Sequence, residues 1–103
     1  MNTELLDLEN ASTLSEVFKQ LGDPNRLRLF LFLCHHEACV KDLSLAMDMT
    51  SPALSHHLRL LKSAKLIESH RKGKEMYYHA TNSDVAQSLH HMIEHIEKIT
   101  CPN

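Results

Sequence analysis

The chain is poor in residues that interrupt structure, with two glycines and three prolines among 103 positions. No repeat, no linker and no low-complexity segment appears, so one compact domain spanning 1–103 is expected. No stretch approaches the roughly 18 apolar residues that a membrane-spanning helix needs, and the opening segment MNTELLDLEN is acidic where a targeting leader would be basic. A cytoplasmic protein with no membrane partner is the expectation. Cysteine is scarce and unpaired in pattern: Cys34, Cys39 and Cys101 are odd in number and contain no CxxC, which argues against a disulfide framework and for free thiols or thiolates. A chain this small, 43% hydrophobic, buries only a modest core alone, and a homodimer would enlarge it.

What is present is a concentration of positive charge. The chain has a net charge of −2, yet residues 51–76 carry Arg59, Lys62, Lys65, Arg71, Lys72 and Lys74 against Glu68 and Glu75. That is a local surplus of four, which leaves the remainder at −6. A net-acidic protein binds a polyanion when its cations converge on one surface, because phosphate neutralisation and counterion release are local events.

Helical periodicity dominates the first two thirds. ASTLSEVFKQLG offers Ser12 or Thr13 as a cap, with Glu16 three residues beyond Thr13, and places Leu14, Val17, Phe18 and Leu21 on one side before Gly22. DPNRLRLFLFLCHH begins with Asp23 as cap and Pro24 at the first helical position, then runs apolar almost all round, as a helix at the centre of a core does. CVKDLSLAMDM reads as a short helix with Leu43, Leu45 and Ala46 as core candidates. TSPALSHHLRLLKSAK follows at once, capped by Thr50 or Ser51 with Pro52 in its first turn. Two helices so closely joined, over about 40–64, make a helix-turn-helix.

The period then shortens toward two. LIESHRKGKEMYYHAT reads as strand, turn and strand, a β-hairpin over about 66–80 with Gly73 supplying the positive φ of a tight turn. The closing helix, about 83–100, is capped by Asn82 or Ser83 and carries a stripe of Val85, Leu89, Met92, Ile93, Ile96 and Ile99. The predicted class is mainly α with a β-hairpin wing, a winged helix-turn-helix.

These segments, in this order, resemble the ArsR/SmtB family of bacterial metal-responsive repressors. The matching stretches are LGDPNRLRLF, EACVKDLS and SPALSHHLRLLKSAKLIESHRKGKEMYYH, followed by the polar-apolar last helix; together they span residues 17–99. The likeness is greatest to the zinc-responsive branch, whose sensing site lies on the last helix. The resemblance implies a sequence-specific repressor, dimeric through its first and last helices, that binds an inverted repeat in double-stranded DNA and leaves it when an inducer binds.

In that setting helix 51–64 enters the major groove. Ser51, Ser55, His56, His57 and Arg59 then reach base edges or phosphates, while Leu54, Leu58 and Leu61 pack inward. Arg59 is the expected base reader because its fork matches guanine; Lys62 is expected on phosphate. Arg71, Lys72 and Lys74 at the wing would straddle the neighbouring backbone. His57 has an equal claim to an internal packing role.

The inducer site is where the sequence departs from the family. The resemblance places four last-helix ligands at Asn82, Asp84, His95 and Lys98, of which Asn82 and protonated Lys98 are poor zinc ligands. His91 lies one turn before His95 on the same face, so Asp84 from one subunit with His91 and His95 from the other is the expected set for zinc or another divalent ion. No catalytic cofactor is expected. The alternative is a thiol-based sensor of soft metal, persulfide or oxidant. The family's C-V-C position reads Cys39-Val40-Lys41, and Cys34, Cys39 and Cys101 are the candidate thiols, with Cys34 more readily read as a small buried hydrophobe. Finally, HMIEH at 91–95 fits the HxxEH spacing of zinc peptidases, but almost no chain follows to supply a third ligand, so no enzyme is expected.

Overall fold

A computed structural model describes residues 5–101; the first four residues, which include part of the acidic opening segment, and the last two lie outside the description. The order is α1 (Leu8–Gln20), α2 (Pro24–His35), β1 (Ala38–Cys39), α3 (Val40–Met47), α4 (Ser51–Ser63), β2 (Ile67–Lys72), β3 (Glu75–Ala80) and α5 (Asp84–Thr100). Five helices and a hairpin match the expected winged helix-turn-helix.

Helix α1 begins earlier than expected. Asp7, not Ser12 or Thr13, is the cap, its carboxylate accepting the Asn10 amide at 2.8 Å. Thr13 instead sits inside the helix and donates its hydroxyl to the Glu9 carbonyl at 3.1 Å, a local bond open to a hydroxyl side chain within a helix. Helix α2 starts as predicted, with Asp23 accepting the amides of Asn25 and Arg26, both at 3.0 Å, and Pro24 in the first turn.

In α3 only part of the expected core survives. Leu43 and Met47, one turn apart, are buried, whereas Leu45 and Ala46 face outward. The helix is stopped by Asp48 in the left-handed conformation at φ 52°, its cap region closed by the Met49 amide on the Ser44 carbonyl. Thr50 then accepts the Ala53 amide at 3.3 Å and opens α4. This short turn sets the angle between the two helices.

The hairpin pairs Ile67 with Ala80 through Lys72 with Glu75 around a two-residue turn at Gly73 and Lys74. Gly73 has φ 62° and Lys74 does not have positive φ, the pattern of a turn with glycine at its first central position. An unexpected third strand, β1, pairs Ala38 with Tyr78 and Cys39 with Tyr77, making β3 the middle strand. A strand of two residues is too short to carry a readable alternation, which is why periodicity missed it.

One core joins these parts. Leu29, Phe30 and Leu33 of α2, Leu43 and Met47 of α3, Leu54, Leu58 and Leu61 of α4, Leu66 and Ile67 at the wing, and Ala86 and Leu89 of α5 form a single buried cluster. The apolar stripe of α5 therefore divides. Leu89 belongs to its own core, while Val85, Met92, Ile96 and Ile99 stay exposed, and Val85, Met92 and Ile96 line surface grooves shared with Phe18 of α1.

Replacing Leu58 with Ala should cost about 2–5 kcal/mol, the range for a large side chain removed from a packed interior, whereas Leu45→Ala should stay within about 0.5 kcal/mol. Urea unfolding of the two variants measures the contrast, and equal losses would place the core elsewhere on α3 and α4.

Candidate functional site

Helix α4 turns Leu54, Leu58 and Leu61 inward, and this rotates Ser51, Ser55, His56, Arg59 and Lys62 into solvent. The spacing does the sorting, since residues three and four apart share a helix face. The Arg59 guanidinium, which can only donate, contacts His56 Nδ1 at 2.9 Å, so the two exposed side chains present one polar unit. Lys62 Nζ donates to Ser69 Oγ at 2.8 Å and ties α4 to the first wing strand.

His57 departs from the DNA-facing group. Its ring turns toward the start of α2, with Nδ1 at 4.0 Å from the Asp23 carboxylate and 3.4 Å from the Arg26 guanidinium, and its side chain is 13% exposed. Arg26 is itself held by the Gln20 carbonyl at 2.8 Å. Burial draws the His57 pKa below its ordinary value, against the opposing pull of Asp23. Asp23 is held below the usual carboxylate range, chiefly by the Arg26 backbone N–H. His57 thus fastens α4 to α2.

On the wing, Arg71 and Lys74 are exposed and, among the described residues, have no carboxylate at ion-pair distance. Lys72 is different. Its ammonium pairs with Glu37 at 2.5 Å and lies 5.0 Å from the centre of the Tyr77 ring. The pair lowers the Glu37 pKa and raises that of Lys72, each through their shared hydrogen bond. The expected phosphate contact at Lys72 therefore competes with an internal partner, and Arg71 and Lys74 are the better placed cations.

Among the described residues, two groups of three metal-ligating side chains converge: His35, His90 and Glu94, and Glu37, His70 and His79. Neither contains Asp84, His91, His95 or a cysteine. Within one chain the expected Asp84, His91 and His95 set is not assembled, and Asn82, at the family's first ligand position, is occupied by a hydrogen bond from the Gln87 amide. The second group already holds a cation, because Lys72 sits on Glu37, while His79 pairs with Glu68 at 2.9 Å. In the first group the Glu94 carboxylate lies 3.0 Å from His35 Nε2 and 3.1 Å from His90 Nε2, and these hydrogen bonds, His35 first, hold its pKa down. Glu94 is thus turned toward His90 and the end of α2, so HMIEH does not form the zinc-and-base arrangement of a peptidase.

The thiols do not gather. Cys39 is buried in β1, Cys34 half-buried at the end of α2 and Cys101 exposed at the end of α5. Burial, reinforced by the negative charge of Glu94, pushes the Cys34 thiol up to about 11, so it is a neutral group at physiological pH and a slow nucleophile.

The model of the bacterial regulatory proteins of the arsR family matches residues 23–69, the stretch from the α2 cap through the helix-turn-helix into the wing. A transcriptional repressor SmtB homolog of Synechocystis is 36% identical over 95 residues, covering 92% of this chain and 72% of that protein. The chain belongs to the ArsR family. A cadmium resistance transcriptional regulatory protein, CadC, of Listeria innocua is 39% identical over 71 residues, 68% of this chain and 60% of that one. Among solved structures, the homodimeric winged helix-turn-helix DNA-binding domain of a possible ArsR-family regulator from Mycobacterium bovis superposes with a TM-score of 0.77 at 25% identity, covering 95% of this chain and 91% of that one. As a member of the ArsR family, this chain is a transcriptional regulator and not an enzyme, and its α3, α4 and wing are the family's winged helix-turn-helix. No described helix is long and apolar enough to cross a membrane.

The buried His57 makes stability depend on pH in a defined direction. Its folded pKa is below its unfolded value of about 6.5, so the unfolded chain takes up the proton first and stability is lost as pH falls through that value. The loss in urea midpoint between pH 7.5 and pH 5.5 should be smaller in His57→Gln than in the parent protein. An identical pH dependence in both would mean that His57 titrates as freely folded as unfolded.

Proposed function

We propose that the chain is a homodimeric repressor that reads an inverted repeat in double-stranded DNA through α4 and the wing, and that a divalent transition-metal ion such as zinc releases it. The observation that carries the DNA reading is the division of α4: a leucine face locked into the core and, opposite it, Ser51, Ser55, His56, Arg59 and Lys62 in solvent, next to the exposed wing cations Arg71 and Lys74. Arg59 is the base reader and Lys62, Arg71 and Lys74 are the phosphate contacts.

The dimer is supported by what α1 and α5 leave uncovered. Leu14, Phe18, Val85, Met92, Ile96 and Ile99 are large, apolar and exposed on adjacent helices, and the Mycobacterium bovis relative is described as homodimeric. Two-fold symmetry then presents two α4 helices to two half-sites. The metal reading is supported by relatives whose names speak of cadmium and arsenical resistance, and by the convergence of imidazoles and carboxylates rather than thiols in this chain. Borderline divalent ions suit such donors. The thiol alternative draws no support from a protonated Cys34 set apart from the other two cysteines.

Arg59→Ala should relax sequence preference, while Lys74→Ala should weaken all duplexes alike and lower the dependence of log affinity on log salt by about one unit. Fluorescence anisotropy against the chain's own upstream region and a scrambled duplex, at three salt concentrations, distinguishes the two effects. If neither substitution alters binding, α4 and the wing do not face DNA.

Ile96→Asp places a charge in the exposed stripe without touching the protomer core, so the sedimentation mass should fall by half with the circular dichroism spectrum retained. An unchanged mass would move the subunit interface away from α5.

A further inference from the structure

The His35, His90 and Glu94 group has a geometry that protons alone cannot satisfy. His35 Nε2, His90 Nε2 and one Glu94 carboxylate oxygen form a near-equilateral triangle with edges of 3.0, 3.1 and 3.1 Å. Each neutral imidazole can place at most one proton on its Nε2. If both nitrogens donate to Glu94, they oppose each other as two donors; if one donates to the other, the acceptor nitrogen faces the carboxylate lone pairs. One edge is repulsive in either case. A single cation above the triangle removes the conflict, because all three atoms then offer lone pairs to the same centre. The dimensions suit it: tetrahedral zinc, with bonds of about 2.0–2.1 Å, holds its ligand atoms about 3.3–3.4 Å apart, a small opening of this triangle.

We propose that His35, His90 and Glu94 form a metal site within each protomer, for zinc or a similar borderline divalent ion, and that this is the site through which metal acts on DNA binding. The second half of this statement rests on the repressor reading above. The donors are two imidazoles and one carboxylate, and with His35 and Glu94 about half exposed a fourth position is open to water. The site differs in kind from one built across the two last helices: it joins the final residue of α2 to the middle of α5. Helix α2 is the link to the DNA face. At its start Asp23 and Arg26 hold His57 of α4, and at its end His35 meets the helix whose exposed stripe faces the partner subunit. A metal that fixes the angle between α2 and α5 fixes the spacing of the two reading helices across the dimer. It releases DNA if that spacing disagrees with the half-sites, and a 5- to 150-fold effect corresponds to a coupling of about 1–3 kcal/mol.

The test uses the full-length, metal-free protein. Zinc affinity is measured first without DNA, by competition with a chromophoric chelator, and cobalt(II) serves as a spectroscopic probe of tetrahedral coordination. One ion per protomer is expected. Glu94→Gln, which keeps hydrogen bonds to both histidines, and His90→Ala should each lower zinc affinity by more than about 100-fold, beyond the effect of losing an outer-sphere partner. His95→Ala and Asp84→Asn should leave it unchanged, and matching thermal unfolding of the metal-free forms shows that folding is intact. Anisotropy with a duplex selected by the metal-free protein then reports release on adding zinc, which Glu94→Gln should abolish without altering metal-free binding. Wild-type zinc affinity in Glu94→Gln and His90→Ala, or loss in His95→Ala instead, overturns the site. Zinc-driven release that persists when zinc no longer binds here overturns its regulatory role. Should no duplex bind the metal-free protein, the repressor reading fails while the zinc titration still decides the site.

Discussion

The leucine face of α4 is the constraint on which the remaining structure depends. Leu54, Leu58 and Leu61 are all but fully buried against a cluster that includes Leu29, Phe30 and Leu33 of α2 and Leu66 and Ile67 at the root of the wing. Each such side chain contributes roughly 1.5–3 kcal/mol on burial, so a rotated α4 would lose more than any surface contact could restore. With the helix axis and rotation set from inside, the polar residues at intervening positions have one place to go. The presentation of Arg59 and its neighbours is a consequence of hydrophobic packing, and the position of the wing follows from the same core through Leu66 and Ile67.

Polar contacts then refine that arrangement. Asp23 caps α2, its partner Arg26 reaches back to the α1 carbonyl of Gln20, and His57 of α4 closes onto both. The Asp23 carboxylate and the Arg26 guanidinium together thereby connect three helices. A similar economy governs the wing, where Glu37 neutralises Lys72 and brings the loop before β1 against the hairpin, while Lys62 reaches Ser69 from the other side. Cations in such a region serve two ends, and Lys72, neutralised by a carboxylate, is less available to a phosphate than Arg71 or Lys74.

Helix α5 shows the same division of labour along its circumference. Ala86 and Leu89 close the protomer core, Val85, Met92, Ile96 and Ile99 await a second surface, and His90 and Glu94 meet the end of α2. A seventeen-residue helix has room for three such sectors because successive residues step by 100° around its axis. Cys34 lies close enough to Glu94 for that charge to oppose its ionisation. The neighbourhood therefore favours imidazole and carboxylate chemistry over thiolate chemistry.

The sequence by itself determined the order of the helices and the hairpin, the helix-turn-helix, the glycine turn, and the sorting of α4 into an inner and an outer side, because these follow from local periodicity and capping groups that act over a few residues. It also located the cationic surface, since charge clustered along the chain stays clustered in a short helix and hairpin. The start of α1 was misplaced through a local cap, whereas the other misplaced features had non-local causes. The α1 start depended on one aspartate outside the apolar pattern, β1 exists only because β3 passes beside it, and Leu45 or Leu89 could be assigned to core or surface only once neighbouring helices were in place. Lys72 looked outward in the sequence and His57 could be read either way; they are engaged by Glu37 and Asp23, which lie more than thirty positions away along the chain. The nine histidines are legible in the sequence as a count, and spacing along one helix can express a set such as His91 and His95, completed by Asp84 of the second subunit. His35, 55 residues before His90, joins it only when α2 and α5 pack together. That convergence is a property of tertiary packing, since no periodicity within a helix can encode a contact between two of them.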